Sequence, residues 1–374
     1  MPDLANIYRL GIKELWSLAR DPVMLVLIVY CFTLSIYVAA TAVPDSLDKV
    51  PIAIVDEDAS PMSACIAAGF YLPRFNPPAN ISLAEMDAGM DAGNYTFVLD
   101  IPPDFQRNVL AGRSPAIQLN VDATRMTQAF VGSEYIQQIA LGEVNDFVKH
   151  YRSSAPPPVE LNLRARYNPN LEQSWFGALT EIINNVTMLA IILTGAALIR
   201  EREHGTIEHL LVMPVTPTEI MLAKVWAMGL VVLVAAGIGL LVVVQGVLNV
   251  PIAGSVPLFL AGTALHLFAE TALGIFMATL ARSMPQFGML AVLILLPLQM
   301  LSGTFSPRES MPEFVQLVML GAPTTHFVAL GQAILFRGAG LAVVWPQFLA
   351  LIVIGSLLFV FSLTRFRKTI SEMS

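Results

Sequence analysis

The sequence predicts an α-helical membrane protein with six transmembrane helices and a small α/β extracytoplasmic domain between the first and second spans. Three observations lead there. Of 374 residues, 55% are hydrophobic and only 13% are charged, against about 25% charged in ordinary soluble domains. Six apolar runs approach or exceed the roughly 20 residues that a spanning helix needs. Between the first two runs lies a long stretch of ordinary soluble character.

The elements follow in order. Residues 1–22 form an N-terminal segment that ends on Arg20-Asp21-Pro22. The first span is residues 23–43, uncharged throughout and stopped by Pro44. A cleaved signal peptide has an apolar run of roughly 7–15 residues and a small-residue cleavage site. This run is longer and starts later, so a retained anchor is expected. Residues 44–175 carry nine Lys/Arg and sixteen Asp/Glu, which excludes burial in lipid. Further spans cover residues 176–199, 225–250, 256–281, 286–303 and 343–366, with a connection at 200–224 and a tail at 367–374.

Basic residues in the short loops orient the chain. Arg9, Lys13, Arg20, Arg200, Arg202, Lys224, Arg282, Arg365, Arg367 and Lys368 all fall on one side. The short segments of the other side hold Arg308 and Arg337. Both termini are therefore expected in the cytoplasm and residues 44–175 outside. Residues 304–342 contain Pro307, Pro312 and Pro323 together with amphipathic stretches. They read as short helices lying at, or dipping into, the outer interface. Such backbone is tolerated at membrane depth only where protein or water satisfies it.

The 44–175 segment alternates strands and helices, the mark of a small α/β domain. Pro51–Val55 and Tyr95–Ile101 read as strands, and Asp104 opens a helix that ends near Gly112. Ile117–Val121 alternates, Thr124 precedes an amphipathic helix to about Tyr151, and after Pro156–Pro158 a returning strand is expected over Val159–Tyr167. Asp56, Glu57 and Asp58 lack the spacing of a calcium loop and read as a solvated strand-to-helix turn. Cys31 and Cys65 form no metal-ligand or redox spacing. The formal charge of −7 is unevenly spread and no nucleic-acid partner is expected.

The connection Arg200-Glu-Arg-Glu-His-Gly-Thr-Ile-Glu-His-Leu-Leu-Val-Met-Pro-Val-Thr-Pro-Thr-Glu-Ile-Met-Leu-Ala-Lys224 is the most informative stretch. Gly205 can end the incoming helix with a positive φ. Thr206–Met213 spans two turns with Ile207, Leu210 and Leu211 on one face, and Pro214 stops it. Thr216-Pro-Thr-Glu219 then reads as a capping box with proline at the first helical position. A short amphipathic helix held at both ends lies on lipid or docks in a partner's groove.

The run Glu203-His-Gly-Thr-Ile-Glu-His-Leu-Leu-Val-Met-Pro-Val-Thr216, followed by Glu219-Ile220 and Lys224, resembles the motif of ABC-2-type transport permeases. The order of one span, a large external domain opening on Val55–Ser60, and five more spans agrees with that family. So do Asp100–Phe105 and the region from Met311-Pro312 to Pro323-Thr324. The resemblance covers essentially the whole chain and is close to bacterial inner-membrane permeases of this group. It implies that Glu203, Gly205, Thr206, Glu208, Leu211 and Pro214 form an element contacting an ABC ATPase subunit. It also implies pairing with a second permease copy or close homologue, and an envelope (membrane-fusion) adaptor as a candidate partner of the external domain. A phosphate-cradling loop needs Gly-x-x-x-x-Gly-Lys-Ser/Thr, and the chain contains no Gly-Lys pair. No cofactor is expected in this chain, and ATP belongs on the partner.

Four of the polar residues inside apolar runs stand out: His266 and Glu270, four apart on one helix face, and the neighbours Asn184 and Asn185. An intramembrane ionisable group is a functional hypothesis by default, so these form a candidate intramembrane polar site. The alternative is simple pairing between helices. His204 and Glu208-His209 miss the inverted zinc-protease spacing by one residue. Three functions remain in play: an exporter permease for a hydrophobic or amphipathic substrate, drugs included; a proton-coupled carrier using His266 and Glu270; and a membrane-anchored ligand sensor. None is an enzyme.

Overall fold

The computed structural model describes residues 3–41, 49–122, 126–151, 173–203, 205, 214–304 and 308–371. The chain divides into two compact units, Met1–Val43 with Ala165–Ser374, and Pro44–Arg164.

Helix α1, Leu4–Ala19, begins on Asp3, whose side chain accepts from the Ala5 N–H. Helix α2, Pro22–Thr41, begins on Asp21, which accepts from the N–H groups of Val23 and Met24. Pro22 occupies the first turn, where its missing N–H leaves nothing unpaired. Cys31–Ser35 within α2 is π-helical.

The second unit holds β1 (Ile52–Asp56), α3 (Pro61–Ala68), β2 (Ala79–Asn80), α4 (Leu83–Asp91), β3 (Phe97–Ile101), α5 (Phe105–Leu110), β4 (Gln118–Val121) and α6 (Met126–Tyr151). Its sheet runs β2-β1-β3-β4, with β1 parallel to both neighbours and β4 antiparallel to β3. Strands β1 and β3 are covered on both faces, which is why Ile52–Val55 and Phe97–Leu99 read as unbroken apolar runs. Ile52, Ile54, Phe97, Leu99 and Ile101 pack with Met62, Ile66 and Ile136 on one face. Ala53, Val55 and Val98 face a smaller cluster on the other. Asp56 accepts from the N–H groups of Asp58 and Ala59 and from the Ser63 hydroxyl, and Asp58 accepts from the Gln106 N–H. These two acids hold the turn that leads β1 into α3. Helix α4 and strand β2 add to the elements that patterning predicts, whereas α3 follows the expected strand-to-helix turn. The predicted strand over Val159–Tyr167 lies outside the described residues.

The first unit resumes with α7 (Gln173–Glu203), α8 (Pro217–Val247), α9 (Val256–Leu280) and α10 (Met284–Leu301). It continues with α11 (Glu313–Met319), α12 (Pro323–Phe336) and α13 (Leu341–Ser371). Among the described residues, six helices, α2, α7, α8, α9, α10 and α13, are long and apolar enough to cross a membrane. Helix α7 is the most enclosed, with 83% of its most apolar stretch buried, whereas α10 and α13 bury 17%. Close approach of α7 and α9 needs Gly274, where an added Cβ would stand 2.7 Å from the Ile191 carbonyl oxygen.

The 200–224 connection is helical at both ends, as Gly205 and the Thr216–Glu219 capping box predict: α7 runs on to Glu203 and α8 starts at Pro217. Residues 304–342 divide in two. Helix α11 exposes Phe314, Leu317 and Val318, whereas α12, bent 92° from it, buries Phe327, Val328, Leu330 and Ile334. The second arm therefore belongs to the interior, where it stacks Phe327 on Phe259 of α9 at 5.8 Å.

Candidate functional site

The helix ends flanking residues 204–216 are cross-braced by charge. Lys224 on α8 is 1% exposed, and its ammonium lies 2.9 Å from Glu14 Oε1 and 2.7 Å from Glu201 Oε2. Lys13 pairs with the other oxygen of Glu201 and approaches Glu14 at 3.5 Å. Two cations and two carboxylates thus tie α1, α7 and α8 together. Glu14 arrives there because it lies on the buried stripe of α1 with Gly11 and Leu18. The Trp226 ring fills the notch left by Gly11, and its Nε1 donates to the Ile7 carbonyl at 3.2 Å. Burial pushes the Glu14 carboxyl above the usual carboxylate range, against the pull of Lys224.

Further braces surround this knot. Arg200 donates to Asp21 at 2.5 Å, tying the start of α2 to α7. Burial works to raise the Asp21 pKa, but the Met24 N–H and the Arg200 guanidinium outweigh it and hold the carboxyl below its ordinary value. Arg202 donates to the carbonyls of Ala278 and Ala281 at the end of α9, at 3.4 and 2.6 Å. Glu203 accepts from the Met284 N–H at 2.9 Å, at the first turn of α10, where a negative charge is favoured. Thr216 and Glu219 cap α8 reciprocally, and Glu219 also accepts from the Asp3 N–H at 2.6 Å. Arg367 of α13 donates to Thr218 at 3.1 Å.

Of the six residues predicted for this element, Glu203 caps α10, Gly205 has φ +68° and Pro214 is exposed. Thr206, Glu208 and Leu211 lie outside the described residues.

The four intramembrane polar residues do not form one cluster. His266 and Glu270 have no exposed surface, and their Nε2 and Oε1 atoms stand 3.8 Å apart. His266 Nε2 lies 2.9 Å from Thr187 Oγ1 of α7. That hydroxyl donates to the Ile183 carbonyl, leaving its lone pairs to accept from Nε2. The imidazole stacks on Phe327 of α12, with centroids 4.1 Å apart. Both Glu270 oxygens, His266 Nδ1, Thr324 Oγ1 and Thr325 Oγ1 are buried without a hydrogen-bond partner among the described residues. Asn185 instead turns to α2, donating to the Cys31 carbonyl at 2.8 Å and to Ser35 Oγ at 3.4 Å. Cys31 begins the π-helical stretch, a place where the regular ladder is interrupted and needs outside partners. The Asn184 carbonyl accepts from Gln299 of α10 at 3.4 Å.

Sequence reasoning missed Glu14, Lys13 and Thr187. A signal for Glu14 was present: Ile7, Gly11, Glu14 and Leu18 follow the 4-3-4 spacing of one helix face.

A family profile described as ABC-2 family transporter protein matches residues 22–364. The chain belongs to that family. The permease is 63% identical over 374 residues, the whole of both chains, to the inner membrane transport permease YhhJ of Escherichia coli (strain K12). It is 27% identical over 348 residues to the probable multidrug ABC transporter permease YbhR of the same strain, covering 91% of this chain and 93% of that protein. A second protein of that description, YbhS, is 25% identical over 341 residues, 89% of each chain. With its six apolar helices, the permease is a multi-pass inner-membrane transport protein.

Proposed function

We infer that this permease is the membrane half of an ATP-binding-cassette exporter, driven by a separate ATPase subunit and moving a hydrophobic or amphipathic substrate, drugs included, outward. In this reading both termini and residues 200–224 face the cytoplasm, and Pro44–Arg164 faces outward. The permease works with a second copy or close homologue, and an envelope adaptor meets the external unit. ATP binds the partner only.

The observation that carries this reading is the bracing around residues 204–216. A push on that segment reaches α1 and α8 through Lys224, α9 through Arg202 and α10 through Glu203. A segment whose flanks, α7 and α8, are pinned to each other and to α1, α2, α9, α10 and α13 suits transmission of force from a docked partner. Helix α7, 31 residues long, then carries motion about 45 Å at 1.5 Å per residue.

Efflux of a fluorescent amphipathic dye from cells holding the permease and its ATPase tests this. Loss of efflux on removing the ATPase, and on Glu208→Ala with the permease still inserted, is the expected result. Efflux that persists without the ATPase but collapses in Glu270→Gln would transfer the function to a proton-coupled carrier. A ligand-sensing reading has one observation in its favour: a cavity of about 700 Å³ in the second unit, whose lining includes Leu99, Phe105, Ile117, Leu119, Ile136 and Arg113. It predicts ligand binding by the permease with no dye flux in any variant.

A further inference from the structure

Helix α1 carries three stripes, each with three- and four-residue steps. Gly11, Glu14 and Leu18 are buried against the unit. Leu4, Tyr8, Ile12 and Leu15 form a second, apolar stripe on which Leu4 and Tyr8 are exposed and Ile12 and Leu15 half-buried. Arg9, Lys13, Trp16 and Arg20 form the third, all exposed. Trp16 leaves 63% of its surface open, and the Arg20 guanidinium lies over its ring at 5.9 Å. Only Arg20 and Asp21 separate α1 from α2, so α1 sits at the membrane boundary.

We propose that α1 is an interfacial helix that binds anionic phospholipid, with Arg9 and Arg20 on the headgroup phosphates and Trp16 among the headgroups. An apolar stripe beside a basic, tryptophan-bearing one suits a helix lying in the interface plane. Indole rings favour that depth, and long arginine side chains reach from it to phosphate. The positive stripe is complementary to an anionic surface, and the neighbouring apolar stripe is unsuited to water.

A second observation independently favours lipid. A groove of about 350 Å³ runs along α8 and α9, lined by Trp226, Gly229, Leu233, Leu267 and Phe268. Its lining is almost wholly apolar, which suits an acyl chain. The Trp226 end meets α1, since that ring stacks on Tyr8 with centroids 6.1 Å apart. Headgroup contacts on α1 and chain contacts in the groove thus belong to adjoining surfaces. The Glu14–Lys224 pair joins this lipid-facing helix to the braces around residues 204–216.

Native mass spectrometry of the full-length permease, released from mild detergent with equal phosphatidylglycerol and phosphatidylethanolamine present, tests the proposal. The expected result is preferential retention of phosphatidylglycerol that weakens with added salt. Each arginine removed by Arg9→Gln or Arg20→Gln lowers the preference about fivefold, with the melting temperature unchanged. Gly229→Leu narrows the groove and lowers retention of both lipids alike. Equal retention of the two lipids by the unsubstituted permease overturns the proposal, as does an unchanged preference in the double arginine variant. Loss of ATPase co-purification in that variant, with lipid preference intact, assigns the face to the protein partner and overturns it too.

Discussion

Lys224 Nζ stands 2.7 Å from Glu201 Oε2, joining the second turn of α8 to the last turn of α7 across the segment that separates them. The same ammonium reaches Glu14 on α1 at 2.9 Å. One side chain therefore fixes three helix ends. Desolvation makes such a pair a weak source of net stability, but removing one partner strands the other in the interior.

Lys224→Met is expected to destabilise the permease by about 3–5 kcal/mol, because Glu14 and Glu201 lose their shared cation. Replacing all three together, by Glu14→Gln, Lys224→Met and Glu201→Gln, should recover most of that loss. Denaturation in detergent micelles measures both. A single variant as stable as the parent would mean that the knot is open to water.

The Asp21–Arg200 brace gives a pH dependence of known sign. The folded pKa of Asp21 is depressed, so its stabilisation is fully present above the unfolded value near 3.8 and is lost as pH falls through the folded value. Between pH 7 and 5 the contribution should be constant, with loss only in strong acid. Asp21→Ala removes the cap as well and should cost about 1 kcal/mol at neutral pH. The difference in melting temperature between the two proteins should stay constant from pH 7 to 5 and begin to narrow only below the unfolded value near 3.8.

Glu270 and His266 should respond oppositely to neutral replacement. Glu270→Gln removes a buried carboxyl whose oxygens have no hydrogen-bond partner among the described residues, so the melting temperature should hold or rise. His266→Ala loses the Phe327 stack and the Thr187 hydrogen bond, and should cost about 1–3 kcal/mol. A large loss in Glu270→Gln would instead reveal an ionised carboxylate doing structural or transport work.

Gly274→Val should wedge α7 and α9 apart, since its Cβ would press on the Ile191 carbonyl, at about 1–3 kcal/mol or more. Gly288→Ala in α10, where an added Cβ meets nothing within 4 Å, is the control. It should stabilise slightly through helix propensity, by up to about 1 kcal/mol. Paired thermal melts of the two variants decide the matter.

Six apolar helices and the strands β1, β3 and β4 were legible because hydropathy and periodicity are sums over neighbouring residues. The braces were not. Lys224, Arg200 and Arg202 read as loop charges marking one membrane side, yet Lys224 is buried in the knot and the arginines hold Asp21 and the end of α9. Glu14 read as part of an unremarkable N-terminal segment because a glutamate ordinarily faces water. His266 and Glu270 were legible as neighbours, since i and i+4 share a helix face. That Asn185 turns away from them to the Cys31 carbonyl depends on the packing of α7 against α2.

By itself the sequence determined that this protein spans a membrane, where its apolar segments lie, and that an α/β unit interrupts them. Each of those follows from local composition. Tertiary structure alone decided that Glu14 would meet Lys224, 210 residues away, that α12 would turn inward, and that the flanks of residues 204–216 would be braced. The physical reason is register: a buried charge finds its partner through the rotation and height of two whole helices. No local pattern carries either.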